Sequence, residues 1–168
     1  ECDWSSDVCS SDLEHAVRGV MTSYGDGVYK STDAGKTWKN IGLEKTRHIA
    51  DVVVHPTNSD IVFVAAQGPV HGASPDRGIY KSIDGGTTWK KTLFVDDNTG
   101  VSSLSMDMNN PRILYAATWP HRRYPWKVES GPNGAIWKST DMGCGINCIY
   151  SRRLSLIKNR RVLSPCGI

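Results

Sequence analysis

The feature that most constrains this chain is an internal repeat. Ser31-Thr32-Asp33-Ala34-Gly35-Lys36-Thr37-Trp38 matches Ser82-Ile83-Asp84-Gly85-Gly86-Thr87-Thr88-Trp89, 51 positions later. Ser139-Thr140-Asp141 begins a third copy 57 positions further on, without the Thr-Trp end. Each copy follows a short apolar segment: Gly27-Val28-Tyr29-Lys30, Gly78-Ile79-Tyr80-Lys81 and Ala135-Ile136-Trp137-Lys138. A period of this length means one supersecondary unit used several times.

A second element keeps the same period. His55-Pro56-Thr57-Asn58-Ser59-Asp60-Ile61 aligns with Asp107-Met108-Asn109-Asn110-Pro111-Arg112-Ile113, with Asn58 and Asn110 at equivalent turn positions. Apolar runs flank each turn, 49–54 and 61–66, then 101–108 and 113–118. The runs are rich in Val, Ile, Tyr and Phe and are bounded by Gly, Pro, Asn and Asp, which is strand punctuation. No segment carries a helical stripe. The middle copy therefore reads as four strands, at about 49–55, 61–66, 78–82 and 88–94. Four strands repeating every fifty-odd residues predict an all-β chain, a partial β-propeller of about two and a half four-stranded blades. A β-sandwich competes, but requires no such period.

The Ser-x-Asp-x-Gly-x-Thr-Trp unit falls between the third and fourth strands. Its Ser and Asp side chains suit bonds to backbone amides of a tight turn, and its Gly suits a positive φ. The Trp can pack between neighbouring sheets. These roles stabilise a turn and are not catalysis. The expected structural set is Ser31, Asp33, Gly35, Thr37 and Trp38, then Ser82, Asp84, Gly86, Thr88 and Trp89, then Ser139 and Asp141.

These boxes resemble the Asp-box, or BNR, repeat. The stretches YGDGVYKSTDAGKTW (24–38), TRHIADVVVHPTNSDIVFVAAQG (46–68), PDRGIYKSIDGGTTWKK (75–91) and NNPRILYAATW through RRYPWKVESG (109–131) are similar to the bacterial BNR-repeat glycosyl hydrolases with a sortilin-like N-terminal propeller. The resemblance covers about residues 14–141. It implies a propeller of several blades, exported from the cell to the extracellular or periplasmic space. It is specific for fold and weak for function, because the same turn serves enzymes, receptors and scaffolds. Two and a half blades cannot close a ring, so the chain is expected to expose strand edges and blade faces. The remaining blades of a parent propeller are then expected partners.

The two ends read as different material. Asp3–Leu13, DWSSDVCSSDL, resembles one translated frame of a sequencing adapter, and residues 1–13 are set aside as non-native. Residues 142–168 hold five basic and no acidic side chains and show neither strand alternation nor a helical stripe. A frameshifted or chimeric, disordered tail is the expectation there. All five cysteines, Cys2, Cys9, Cys144, Cys148 and Cys166, lie in these ends. They lack the ligand number and spacing of a zinc site, so unpaired thiols are expected and no metal.

Blade topology sends the connections from the second to the third strand, and from each fourth strand to the next blade, to one face opposite the boxes. Loops on a rigid scaffold are where function usually sits. The candidate ligand residues on that face are Arg47, His48, His71, Arg77, His121, Arg122, Arg123, Tyr124, Trp126 and Glu129. Aromatic rings beside polar groups suit sugars or peptides, and Arg suits carboxylates. Blander roles stand beside these: Trp119 and Trp126 as packing, Arg47 and His48 as inter-blade bridges, Arg122 and Arg123 as surface charge, Asp96 and Asp97 as turn residues.

Three functions follow. The first is binding of a protein, peptide or glycan through the long-loop face. The second is glycoside hydrolysis, which needs two carboxylates about 5–10 Å apart. Asp76, Asp96, Asp97 and Glu129 are the loop carboxylates, and none can be paired from sequence. A sialidase-like site implies an Arg triad and a Tyr nucleophile, for which Tyr24, Tyr124, Arg47, Arg77, Arg122 and Arg123 exist without a placing pattern. The third is a truncated product with no activity. The catalytic residues are therefore unknown at this point. No phosphate loop, dinucleotide fingerprint, calcium loop or zinc ligand set occurs, so no cofactor is expected. A net charge of +3 is too weak to argue for nucleic acid. No apolar run is long enough to span a membrane as a helix, and no signal segment opens the chain.

Overall fold

The computed structural model describes residues 8–10, 24–120, 123–124, 127–128, 133–151 and 161–163. The chain is all-β apart from one 3-10 turn at Glu44–Thr46. Strands β1 (Val8–Ser10), β2 (Val28–Lys30) and β3 (Lys39–Asn40) form a first sheet in that order. Strands β4 (Ile49–His55), β5 (Asn58–Ala66), β6 (Gly78–Ser82) and β7 (Lys90–Leu93) form a second, also in chain order. Strands β8 (Thr99–Met106) and β9 (Leu114–Pro120) begin the third. A small hairpin follows, β10 (Arg123–Tyr124) with β11 (Lys127–Val128). The third sheet is then completed by β12 (Ala135–Ser139), β13 (Gly145–Ser151) and β14 (Arg161–Leu163). Every pairing is antiparallel. Successive sheets of this up-and-down kind, standing side by side, are the blades of a partial β-propeller.

The second blade lies where the repeat puts it, with β5 and β7 shifted by a few residues at their starts. The two ends depart from expectation. Val8–Ser10 pairs with Val28–Lys30, in register Val8 to Lys30. Gly145–Ser151, inside the segment expected to be disordered, pairs with β12 and completes a fourth strand of the third blade. Its apolar positions escape a period-2 reading because the register shifts between Ile136 and Trp137. Cys144 is disulfide-bonded, not an unpaired thiol.

The core is layered between blades. Strand β5 alternates with period two, and both its faces are covered. Val62, Val64 and Ala66 join Val28, Ile49 and Tyr80 in a cluster on the first-sheet side. Phe63 and Ala65 join Ile79, Leu93, Leu104, Leu114, Trp137 and Ile146 in the cluster towards the third sheet. β-branched side chains dominate the strand, which suits a pleated surface buried on both sides.

The polar turns lock one end of the blades. Ser82 Oγ donates to Asp84 Oδ1 at 2.8 Å and accepts the Gly86 N–H at 2.8 Å. Asp84 accepts the Thr88 N–H at 2.8 Å and its hydroxyl at 2.6 Å. The Ser31–Thr37 turn repeats this set. In the third copy Ser139, Asp141, Gly143 and the N–H of Gly145 hold the same places without a threonine. The first two residues after each Asp are left-handed: Ala34 and Gly35, Gly85 and Gly86, Met142 and Gly143. The Gly85 N–H bonds to the Asp60 carbonyl, and the Met142 N–H to the Arg112 carbonyl, so these turns share an end with the β4–β5 and β8–β9 turns.

Candidate ligand-binding face

The opposite end is built from longer connections. The loop after β5 runs from Gln67 to Arg77, and the connection after β7 holds Asp96 to Asn98. Arg77 joins the two. Its side chain is completely buried, and Nε donates to the Asp97 carbonyl at 2.8 Å. The remaining guanidinium nitrogens donate to the carbonyls of Gln67, Pro69 and Gly72. Burial pulls its pKa down to about 10, against the raising influence of Asp96 and Asp97, so the group remains a cation at neutral pH. Gly68, at φ 77, makes room for this side chain: a Cβ there would stand 2.5 Å from Arg77 Cγ. Arg77 is therefore a loop clamp, which corrects its place among the expected ligand contacts.

Asp96 acts in the same way. Its carboxylate accepts the N–H groups of Asn98 and Thr99 at 2.7 and 2.8 Å, and the Thr99 hydroxyl at 2.9 Å. Asn133, at the end of the next blade's long loop, donates to it at 2.5 Å. Burial raises the carboxyl's pKa, but these donors outweigh burial and leave it below the usual range. The turn role considered for Asp96 is the one it has.

His48 is also buried, with Nδ1 3.1 Å from the Gly68 carbonyl. It ties the start of β4 to the loop after β5 within one sheet and does not bridge two blades through that bond. Arg47 and His71 are exposed. Arg47 sits over the ring of exposed Tyr24 at 5.4 Å, and Tyr24 packs against His48 at 5.3 Å between ring centroids. Tyr24 was not among the expected ligand residues. Its signal was its place just before Gly25-Asp26-Gly27, the first blade's counterpart of the loop after β5.

A second accessible group centres on Lys91, whose ammonium stands over Tyr80 at 5.2 Å and Phe94 at 5.0 Å and bonds to the Pro75 carbonyl. Burial lowers its pKa, while Asp76 and Asp97 raise it. Tyr80 in turn donates to the Asp76 carbonyl at 3.0 Å, and burial raises its phenol pKa. Trp119 is exposed at the end of β9. Arg123 and Tyr124 lie in β10, described as backbone only. His121, Arg122, Trp126 and Glu129 lie outside the described residues.

Comparison with known proteins fits this architecture. Over 92 residues the chain is 32% identical to a probable oligoxyloglucan-reducing end-specific xyloglucanase of Neosartorya fischeri, covering 52% of this chain and 11% of that protein. Over 51 residues it is 39% identical to vacuolar protein sorting/targeting protein 10 of Sordaria macrospora, covering 30% of this chain and 3% of that one. The chain thus spans a small part of the relatives it matches. The crystal structure of an ancestral GH74 enzyme superposes with a TM-score of 0.57 at 22% identity, over 75% of this chain and 15% of that chain. The model of the family described as sortilin, neurotensin receptor 3, matches residues 26–153. The match runs past Asp141 and takes in β13, and on it the chain belongs to the Sortilin-Vps10 family.

Proposed function

We propose that this chain is part of a β-propeller that binds a protein, peptide or glycan through its long-loop face, and that its Ser-x-Asp turns, read as Asp-boxes, are structural. The observation that carries this is the division between the two ends. The side-chain oxygens of Asp33 and Asp84 are taken up within their own turns. At the other end Tyr24, Arg47 and His71 present a ring, a guanidinium and an imidazole to solvent. An aromatic face beside a cation suits a sugar ring or a peptide carboxylate. Export of the parent protein to the extracellular or periplasmic space belongs to the same reading.

Glycoside hydrolysis is the second reading, favoured by the xyloglucanase name of one relative. A general acid in such a pair needs a raised pKa. Asp96 is held low by its donors, so Asp76, Asp97 and Glu129 are the carboxylates left for that role. A sialidase-like Arg cluster cannot use Arg77, whose guanidinium faces four backbone carbonyls.

Calorimetric titration with xyloglucan oligosaccharides and with acidic peptides tests both readings, alongside a reducing-sugar assay. Binding weakened at least about tenfold by Arg47→Ala or Tyr24→Ala, a loss of about 1.4 kcal/mol, supports the first reading. Sugar release abolished by Asp76→Asn or Asp97→Asn would replace it with the second. Binding that neither face variant alters refutes the assignment of this face.

A further inference from the structure

We propose that the outer face of the third sheet docks the first sheet of a second copy of this chain, so that copies join head to tail. The argument rests on a junction that the chain already makes twice with itself. At the first junction Lys30 Nζ, at the end of β2, donates to the Gly85 carbonyl in the second sheet's turn at 3.3 Å. At the second, Lys81 Nζ, near the end of β6, donates to the Met142 carbonyl in the third sheet's turn at 2.9 Å. Gly85 and Met142 are the same residue of the repeat, one after the Asp, and both are left-handed. The rule is a lysine of one sheet reaching the next sheet's turn.

Lys138 is the third member of this series, and its face is a copy of the one already in use. Lys81 stands 5.5 Å over the Phe63 ring, and Lys138 stands 5.3 Å over the Tyr115 ring. Phe63 and Ile79 are 0% and 2% exposed because the third sheet covers them. Their counterparts Tyr115 and Ile136 are 39% and 42% exposed, and Ile149 on β13 is 53% exposed. An apolar face of this kind, crossed by one lysine, is buried wherever its repeat recurs inside the chain.

The complementary half is on the first sheet. Ala34 occupies the turn position of Gly85 and Met142 at φ 57, the same as Met142, so its carbonyl is the equivalent acceptor for Lys138. Trp38 is the counterpart of Trp89, whose indole N–H donates back to the Ile41 carbonyl of the preceding sheet at 2.8 Å. Trp38 is 42% exposed. The position of Ile41 recurs as Thr92 in the second sheet and as Ile149 in the third, so the Ile149 carbonyl is the matching acceptor. Both halves of the junction therefore stand uncovered on one chain, and a second copy supplies the missing partner for each. Such an interface is heterologous and builds rings or open filaments.

Light scattering after size exclusion on the 168-residue chain tests this. The expected mass rises with concentration above the 18.5 kDa of one chain. Ile136→Asp blocks one end and Trp38→Asp the other, so each variant alone is expected to stay at one chain mass. Mixed, they should form a pair of twice that mass and nothing larger, because one intact end remains on each. Circular dichroism shows that each variant is folded, and Lys138→Glu is the second variant for the third-sheet face. Ile83→Asp, exposed on a turn outside the junction, should leave assembly unchanged. One chain mass at every concentration overturns the proposal and leaves this face to a further sheet of a longer chain. So does assembly indifferent to these variants, or a single end-blocked variant that still pairs with itself.

Discussion

Arg77 Nε donates to the carbonyl of Asp97 across 20 residues of sequence, and this one bond joins the loop after β5 to the connection that leaves β7. Three further carbonyls share the guanidinium. Removing a donor leaves each buried acceptor with a desolvation cost of about 1–3 kcal/mol. Arg77→Ala is therefore expected to lower stability by about 3 kcal/mol or more, read as a shift of the urea midpoint. Arg77→Lys should recover only part of this, because an ammonium cannot copy the planar fork that reaches four separated carbonyls.

Gly68 gives an independent check on the same clamp. Its φ of 77 and the 2.5 Å approach of a Cβ to Arg77 Cγ act together. Gly68→Ala should cost about 1 kcal/mol for the backbone conformation alone, with the displaced Arg77 adding to it. The double variant with Arg77→Ala should cost less than the sum of the two, because the clash is then gone.

Acid should loosen the turns before the core. The Thr37 hydroxyl and N–H hold Asp33 at about 2, and those of Thr88 do the same for Asp84, against an ordinary 3.8. A carboxyl depressed in the folded state adds stability above its unfolded value and loses it as pH falls through the folded value. The urea midpoint should thus be level above about pH 4 and fall between pH 4 and 2. Asp84→Asn should make that fall shallower while lowering the midpoint at pH 6. An unchanged acid slope in Asp84→Asn would show that other groups control it.

The repeat made the blades legible because every strand of the second one is announced twice, by its own apolar run and by its copy. Val62, Phe63 and Val64 could be placed in a strand, and their turn at Asp84 could be placed against it. What sequence could not supply was the company each loop residue keeps. Arg77 and Arg47 look alike in the chain. One is enclosed by carbonyls and the other lies over Tyr24, because enclosure depends on how the loop after β5 folds back on Asp97. The third blade's last strand was missed for a local reason. Gly145 and Ile146 replace the Thr-Trp that marks the start of that strand elsewhere, and the bulge opposite Ile136 hides its alternation.

That replacement carries its own compensation. Trp89 lies against Gly42, where a Cβ would stand 3.5 Å from the indole ring. Gly42 and Leu93 are equivalent: a Cβ on Gly27 would meet the Gly42 carbonyl oxygen at 2.3 Å, and one on Gly78 would meet that of Leu93 at 2.0 Å. A large ring thus goes with glycine at one junction, while at the other Ile146 and Leu93 belong to one buried cluster. The cavity beside Ile146 is about 10 Å³, room for about one water molecule and not for an indole. Restoring the repeat with Ile146→Trp should therefore overpack the junction and cost about 1–3 kcal/mol. Leu93→Ala alone should cost about 2–5 kcal/mol as a cavity. If the two positions compensate, the double variant will be more stable than the sum of the two losses predicts, by about 1 kcal/mol or more. Strict additivity in urea melts would show that the pair of sizes at the second junction is coincidental.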